Sequence, residues 1–427
     1  MHLALEVRSA ATNRPKAVFF AVLTMAISVV FVIWLLTNHM TPQWDMAYYL
    51  DMATRGLIGN KNLAAPFAYR PAAPLIVGVI AHVFRSDPET MFRVSDAIMC
   101  VVFILSCFYF ARSLGASVYA AAFAGLALAL NFNVVKWTLF SGTMVDIYAY
   151  PFLLAAFWAL LRKRFYLCLA ISAVGLFFKE FLLVPIMVQA AVVVFRGRFK
   201  EWRTSLNAVM LTILVLLLCF VLPRLAIHVA RTFQDIDPLN DGSTISRLIT
   251  YPLSRRHDFN ILFAFLAGWL PVLLLLDRRR LRMVWLRLYP YRVILVLFTA
   301  FHFFLVMYGG TNINIYITYC APIQIMVLIV LLDKGNTRTW EACLAIVAVF
   351  VFNRLWKAVP LPQNGMDTYL DFYGGYYMRV TPSSFFRMGE VLAYILSFGV
   401  LRSIISHASK PRASAGSELA SVPTSVA

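Results

Sequence analysis

A small set of ionisable side chains lies at the ends of the apolar segments of this sequence. An ionisable side chain at membrane depth is costly, so its presence there is a hypothesis of function. The carboxylates of the set could accept a proton in catalysis, and its cations could bind a phosphate group. The candidates are Asp45, Asp51, Arg70, Arg93, Asp146, Lys179 and Glu180.

Asp45 is the most informative of these residues. It follows the first apolar run, residues 17–36, in the sequence Trp-Asp-Met-Ala-Tyr-Tyr-Leu-Asp, where the bilayer would meet water. Partial desolvation there would tune its pKa towards neutral, as a general base requires. A helix cap or an interfacial charge would explain the same position without any chemistry. Asp51 lies six residues further on, in a more polar stretch.

Arg70, Asp146 and the pair Lys179-Glu180 each allow a chemical and a structural interpretation. Arg70 stands in Ala-Tyr-Arg-Pro-Ala-Ala-Pro, where it could clamp a phosphate bidentately or only snorkel to the surface. Lys179 and Glu180 interrupt two apolar runs with barely a turn between them, either as part of a site or as a self-compensating ion pair. Asp146 begins an apolar run, where helix capping alone also explains it.

The composition identifies a polytopic helical membrane protein. The chain has 427 residues, of which 61% are hydrophobic and 14% are charged, whereas soluble domains average roughly 45–50% and about 25%. No alternating pattern of a membrane β-barrel is visible, so the spans are expected to be helices. The predicted spans are 17–36, 93–111, 117–135, 147–161, 165–178, 181–195, 205–223, 259–276, 291–307, 316–332, 339–355 and 387–403.

The basic residues predict which loops face the cytoplasm. Lys and Arg concentrate in the short loops 162–164, 196–203 and 278–282, and such loops are held on the cytoplasmic side. All three fall on that side only if the apolar segment 71–84 does not cross the membrane, and this segment is also short for a span. We therefore expect about twelve spans, both termini in the cytoplasm, and 71–84 as a helix lying against the outer interface.

This topology divides the chain into three parts. Residues 1–16 form a cytoplasmic segment and 17–403 a membrane domain, whose first outer loop, 37–92, contains the interfacial helix. Residues 404–427 are expected to be a disordered cytoplasmic tail, because they are rich in Ser and Ala. The basic residues behind the net charge of +18 lie in the loops between apolar runs. They do not form a separate basic domain with interspersed aromatic residues, so nucleic-acid binding is excluded.

Two outer segments contain weaker signals. Asp235-Ile236-Asp237 has the form of a DxD metal motif, but it lies in a turn-rich loop. No cofactor is predicted, and a divalent metal stays open. The last outer segment, 356–386, is rich in aromatic residues, which would suit either stacking on a sugar face or an aromatic belt at the membrane interface.

The order of the motifs resembles that of the GT-C superfamily of integral membrane glycosyltransferases, which includes protein O-mannosyltransferases and aminoarabinose transferases. Asp45 matches the acidic residue that the family places in its first outer loop. Tyr-Arg-Pro-Ala-Ala-Pro-Leu at 69–75 matches the proline-rich, Arg-containing start of the family's juxtamembrane helix. The first outer loop therefore contains two of the matching motifs.

The later motifs follow in the same order. Arg93 opens span two, Asp146 heads span four, and Lys179-Glu180 matches a basic–acidic pair between later spans. The stretch 316–322, Tyr-Ile-Thr-Tyr-Cys-Ala-Pro, looks like the family's late Arg-Tyr-x-x-x-x-Pro motif, but it lacks the arginine. One phosphate contact of the family is therefore missing from that place.

The resemblance implies an all-α GT-C-like bundle of about twelve transmembrane helices with an outer juxtamembrane helix, in a multi-pass protein of the bacterial inner membrane or its equivalent. It implies transfer of a hexosyl or pentosyl group from a polyprenyl-phosphate-linked sugar, held in membrane lipid, to a glycan, lipid or protein acceptor on the outer side, with inversion. The implied roles are Asp45 as general base, Arg70, Lys179 and Arg93 as ligands of the donor phosphate, and Asp146, Glu180 and Asp51 as residues that orient the acceptor.

A transporter or flippase of a lipid-linked sugar or small solute is the alternative function. Transporters often have paired halves and spans that are broken near mid-bilayer, whereas the charges here gather at one face. The sequence therefore favours the glycosyltransferase.

Overall fold

The computed structural model describes residues 15–42, 45–63, 67–196, 202–229, 255–308, 313–369 and 385–409. Within these ranges every regular element is a helix, and no strand occurs. Helices satisfy their backbone hydrogen bonds internally, which is what the hydrocarbon of a membrane requires. The predicted all-α class of membrane protein is therefore confirmed.

The helices of the first half follow one another closely. They are α1 (Pro15–Leu35), α2 (Asp45–Arg55), α3 (Ala72–Phe84), α4 (Pro88–Ser113), α5 (Val118–Ala129), α6 (Trp137–Ser141), α7 (Asp146–Leu161), α8 (Phe165–Gly175) and α9 (Leu183–Arg196). Those of the second half are α10 (Trp202–Leu216), α11 (Leu222–Val229), α12 (Arg255–Leu275), α13 (Arg278–Leu288), α14 (Arg292–Tyr308), α15 (Ile313–Thr318), α16 (Ala321–Asp333), α17 (Thr339–Phe352) and α18 (Phe385–Ser409).

Each of the twelve predicted spans overlaps an apolar helix, but the helices differ in length. Four of those described are long and apolar enough to cross a membrane alone, namely Pro15–Leu35, Pro88–Ser113, Leu206–Ile227 and Arg278–Val306. Eight others have 10–17 residues, and a helix of 16 residues covers only about 24 Å of a roughly 30 Å hydrocarbon core. The protein is an integral membrane protein, and the count of twelve crossings stays a prediction.

The third predicted span, 117–135, is broken. The helical pieces Val118–Ala129 and Phe132–Ser141 meet at an angle of 57°, and the second piece begins with a π-helical turn, Phe132–Lys136. Asn131 caps this turn, because its side chain accepts a hydrogen bond from Asn133 N. Polar side chains that insert into the helical ladder in this way are a known cause of kinks, and an apolar pattern alone does not reveal them.

Lys136 lies at the end of this π-helical turn and is fully buried. Its ammonium group donates to the backbone oxygens of Leu355 at 2.7 Å and of Lys357 at 2.6 Å, with Arg354 O at 3.4 Å. The lysine therefore satisfies the carbonyls of the turn that follows α17, and it fixes the broken span to that turn.

Two boundaries differ from the sequence prediction. The basic stretch 278–282 was expected to be a loop, but it belongs to α13, since Asp277 caps that helix by accepting from Arg280 N at 2.7 Å. The last helix, α18, ends at Ser409, so residues 404–409 of the predicted disordered tail are helical. The remainder of that tail, and most of the predicted N-terminal segment 1–16, lie outside the described residues.

Helices α2 and α3 form a unit beside the bundle. Helix α3 has 13 residues and covers about 20 Å, which is too short to cross a roughly 30 Å core. It approaches α2 so closely that a Cβ at Gly78 would lie 2.3 Å from Ala53 O. This contact fixes α2, and with it Asp45 at the start of α2, relative to the loop that contains Arg70.

Candidate functional site

Two ion pairs join three separate parts of the chain at the site. Arg70 donates to both carboxylate oxygens of Glu180, with Nε 2.8 Å from Oε2. Lys179 Nζ lies 2.8 Å from Asp146 Oδ1. The hypothesis that Lys179 and Glu180 compensate one another is therefore wrong. The backbone of Lys179 is extended, so neighbouring side chains point in different directions and reach different partners.

The Arg70 guanidinium also contacts α2. Its Nη1 donates to the hydroxyl of Tyr49 at 2.8 Å. A 3₁₀ turn, Phe67–Tyr69, precedes it and is closed by a hydrogen bond from Arg70 N to Phe67 O at 3.0 Å. Ala72 N donates to Phe177 O at 3.1 Å, which ties the start of α3 to the segment before Lys179. Arg70 is buried, and it acts as a bridge and not only as a surface anchor.

The Asp146 carboxylate contacts two other residues of the site, Lys179 and Tyr319. The capping position of α7 is Val145, which makes no side-chain cap, so helix capping does not explain the Asp146 carboxylate. Asp146 Oδ1 accepts a hydrogen bond from the buried Tyr319 hydroxyl as well as the contact from Lys179. Tyr319 stacks on Phe181, with ring centroids 3.9 Å apart. The late motif 316–322 therefore reaches the site through a tyrosine.

Asp45 is the carboxylate of the site that makes no ion pair with any described residue. Burial raises its pKa above the ordinary value, and the nearby negative charge of Asp146 adds to this, while Lys179 and Arg70 pull the pKa down. These influences place Asp45 in the electrostatic field of both ion pairs.

Glu180 has the opposite pKa shift. Burial would raise its pKa, but the positive charges of Arg70 and Lys179 outweigh burial and lower it to about 2. Glu180 is thus a permanent anion at neutral pH. Two carboxylates at one site whose environments move their pKa values apart are a pattern of acid–base chemistry.

Arg93 and Asp51 do not join this cluster in the described part of the chain. Arg93 Nη2 pairs with Glu89 at 2.7 Å and donates to Met40 O at 2.9 Å. Asp51 pairs with Arg55 at 3.2 Å and accepts from Asn60. Their predicted roles, in phosphate binding and in orienting the acceptor, gain no support from these contacts.

Arg224 is a cation at the site that the sequence interpretation missed. Its guanidinium lies 3.7 Å from the ring centroid of Phe220 and 5.7 Å from that of Tyr69. Its guanidinium interacts electrostatically with both Glu180 and Arg70, which places it beside the Arg70–Glu180 pair. Arg224 lies just past the predicted span 205–223, so the rule that selected Arg70 as a cation at the outer interface would also have selected it.

Tyr369, in the aromatic segment 356–386, lies close to Asp45. It is buried, and both its burial and the charge of Asp45 raise the pKa of its hydroxyl. Its ring stacks on that of Phe140, with centroids 6.5 Å apart. The remaining aromatic residues at 370–384 lie outside the described residues. One aromatic side chain of the segment is therefore next to the candidate base.

The fold has a counterpart among solved structures. It is similar to ArnT from Cupriavidus metallidurans bound to undecaprenyl phosphate, with a TM-score of 0.53, 17% sequence identity, and coverage of 92% of this chain and 72% of ArnT. The chain has an ArnT-like fold. ArnT is a GT-C protein, so the resemblance read from the motifs is confirmed for the fold. No protein-family model matches the chain, and no curated protein sequence is significantly similar to it.

The ArnT-like chain contains no cluster of three or more His, Cys, Asp or Glu side chains suited to a metal among the residues that the structure describes. The DxD-like stretch 235–237 lies outside them.

Proposed function

We propose that the protein is a membrane glycosyltransferase that transfers a sugar from a polyprenyl-phosphate donor to an acceptor on the outer side of the membrane, with inversion. The observation that carries the proposal is the pairing within the site. Asp146 and Glu180 are neutralised by Lys179 and Arg70, and Asp45 beside them makes no ion pair with any described residue. The undecaprenyl phosphate bound to ArnT supports a lipid phosphate as the leaving group.

The proposed reaction is a single displacement at the anomeric carbon. The acceptor hydroxyl gives its proton to the Asp45 carboxylate as its oxygen bonds to that carbon. The bond from the carbon to the phosphate oxygen breaks, and the electron pair leaves with polyprenyl phosphate. An oxocarbenium-like transition state favours a base on the face opposite the leaving group, and this arrangement gives inversion.

With respect to the described residues, the cations of the site have hydrogen-bond donors left for the departing phosphate. Arg70 has five N–H donors, of which its contacts with Glu180 and Tyr49 use three. Lys179 has three donors, of which the ion pair with Asp146 uses one. Preorganised donors of this kind stabilise the charge that develops in the transition state. The proposal for phosphate binding rests on these remaining donors, together with those of Arg224.

The orientation of the protein is part of the proposal. We place both termini in the cytoplasm and the 179–180 turn on the outer side, as the basic loops indicate. Single cysteines in a background without native cysteine test this. A cysteine at position 163 should be labelled only from inside, and one at position 61 from outside. Labelling of position 163 from outside would reverse the orientation.

The function is tested with the purified chain in proteoliposomes that contain a synthetic polyprenyl-phosphate sugar. Acceptor fractions from the cell envelope are added, and free polyprenyl phosphate and glycosylated product are measured together. Equal amounts of the two, with an inverted anomeric centre by NMR, are expected. The kinked third span is a feature that transporters also show, so movement of intact donor across the bilayer is measured as well. Translocation without bond cleavage would replace the proposal with a flippase.

A further inference from the structure

Helix α13 presents a basic and aromatic surface that plays no part in the proposed function. It forms the first part of a 29-residue helical run, Arg278–Val306, whose later part is apolar. Arg278, Arg279, Arg282 and Arg287 are exposed on it, and so are the large apolar side chains of Leu281, Trp285 and Leu286.

The inward-facing Arg280 and the buried Val284 hold this helix to the body of the protein. Arg280 is buried and pairs with the fully buried Glu341 at 2.6 Å. Its other nitrogens donate to Gly335 O and to Leu275 O, each at 3.0 Å. The orientation of α13 is therefore fixed, and the exposed arginines face away from the protein.

The four exposed arginines have no carboxylate partner within the described ranges. The charge on this surface is thus not neutralised by the described part of the chain. The neighbouring turn, which Arg280 contacts at Gly335 O, adds further positive charge through Lys334. A surface of this kind attracts anions. The apolar side chains among the arginines distinguish between a soluble anion and the headgroup of a lipid.

Trp285 and Tyr289 indicate where the helix passes the membrane surface. Both are exposed, Trp285 to 60%, and exposed aromatic residues just before an apolar span are typical of the headgroup level. The Arg292 guanidinium lies 3.9 Å from the ring centroid of Tyr289. Arg282 and Arg287 flank Trp285 and so lie at the same level, whereas Arg278 is about 10 Å further along the axis.

We propose that this end of the helix binds the headgroups of anionic phospholipids. The arginines would pair with headgroup phosphates, while Leu281, Trp285 and Leu286 would contact the upper part of the acyl chains. A soluble polyanion would leave those three apolar side chains in water, so the surface suits a lipid better. Arg282 and Arg287 contribute most, because they lie at the level of Trp285. The inference is independent of the proposed transferase activity.

Trp285 itself provides the readout. The full chain is purified and placed in mixed micelles that contain phosphatidylglycerol or phosphatidylcholine brominated near the headgroup, at equal mole fractions. The part of the tryptophan fluorescence that is lost in Trp285→Phe is attributed to Trp285. Brominated phosphatidylglycerol should quench that part at a lower mole fraction than brominated phosphatidylcholine does.

Charge neutralisation then locates the site. Each arginine near an anionic surface adds about fivefold in affinity, so Arg282→Gln with Arg287→Gln should remove most of the preference. Arg278→Gln with Arg279→Gln should remove less. The matched control, Lys16→Gln with Lys61→Gln, removes two exposed cations elsewhere and should leave the Trp285 preference unchanged.

Three outcomes would overturn the proposal. They are equal quenching of Trp285 by both lipids, an Arg282→Gln/Arg287→Gln variant that behaves like the control, and loss of the preference when inorganic phosphate matches the lipid concentration. The last would indicate a site for soluble anions. If the glutamine variant does not fold, Arg282→Lys with Arg287→Lys keeps the charge and must keep the preference.

Discussion

Lys179 pairs with Asp146 at the start of α7 and leaves its sequence neighbour Glu180 to Arg70. The two pairs connect the loop before α3, the turn before α9 and the start of α7. Removing one partner of the buried Lys179–Asp146 pair leaves an uncompensated charge and costs about 3–5 kcal/mol, whereas the half-exposed Glu180 makes the Arg70 pair cheaper to break. Mutations of these four residues therefore change the stability of the site as well as its chemistry, so a lower rate alone does not assign any of them a catalytic role.

The first prediction concerns the candidate base. Asp45→Asn should lower the transfer rate by about 10²–10⁴-fold, because an amide cannot accept the acceptor's proton. Donor affinity and thermal stability should change little, since Asp45 makes no ion pair with any described residue. Turnover and donor binding are measured separately in proteoliposomes with a synthetic donor.

Asp51→Asn is the matched control for this change. Asp51 lies on the same helix but pairs with Arg55 and Asn60, away from the cluster. It should lose less than about tenfold in rate, because its carboxylate takes no part in proton transfer. Near-normal turnover in Asp45→Asn, or equal losses in the two variants, would remove Asp45 from the role of base.

The second prediction is a pH profile. Asp45 must be ionised to act, and its pKa is raised above the ordinary 3.8. Activity should therefore fall with decreasing pH, with the midpoint of the acid limb of kcat/KM above that value. Glu180 cannot produce this limb, because its pKa of about 2 keeps it ionised throughout the window.

Asp146→Asn identifies the group behind the limb. The change removes a negative charge near Asp45 and frees the charge of Lys179, and both effects lower the pKa of Asp45. The acid limb should therefore move to lower pH, whatever happens to the maximal rate. A limb that stays in place, measured by initial rates across the acid range, would assign it to another group.

The third prediction tests Arg224 as a ligand of the donor phosphate. Arg224→Gln should weaken donor binding by about tenfold or more, the usual effect of a lost hydrogen bond to a charged group. Arg55→Gln removes another cation, which pairs with Asp51, and should have little effect. Donor affinity is measured by titration with a non-transferable donor analogue. Identical affinities in the two variants would remove Arg224 from the candidate ligands of the phosphate.

The fourth prediction concerns stability. Lys136→Met should destabilise the protein by about 3 kcal/mol, because three backbone carbonyls, two of them in buried contacts, would lose their donor. Lys61→Met, at an exposed lysine, is the control. Thermal unfolding in detergent is the measurement, and equal melting temperatures for the two variants would show that the carbonyls find other partners.

The fold was predictable from sequence because apolar runs of membrane length identify helices directly. The twelve predicted spans and the segment 71–84 each overlap a helix, whereas α2, α6 and α13 lie between them. The kink at Asn131 was not predictable from the apolar runs. Besides the Asn131 side chain, it involves a hydrogen bond from Phe132 N to the side chain of Asn353, which is far away in the sequence. The helical state of 278–282 was missed for another reason: charge density was taken as the sign of a loop, while Asp277 supplies a helix cap.

The sequence predicted most of the residues that form the site, but it did not predict which of them form ion pairs with one another. Asp45, Arg70, Asp146, Lys179 and Glu180 were selected because ionisable groups at membrane depth are rare. Which carboxylate neutralises which cation depends on the extended backbone at Lys179 and on the packing of α2 against α3, and sequence spacing reports neither. Arg93 and Asp51 were selected by the same criterion and lie elsewhere, since the criterion measures depth along the chain and not proximity in space.

The anchoring of Lys136 has a consequence for biosynthesis. Its carbonyl partner at Lys357 lies 221 residues further along the chain, which a ribosome reaches about 10–45 s later at 5–20 residues per second. Throughout that interval the ammonium group of Lys136 exists before the residues whose carbonyls will accept its hydrogen bonds have been synthesised. The third membrane segment can therefore settle into its native shape only as the last third of the polypeptide leaves the translocon, which makes it a late step in the assembly of the protein.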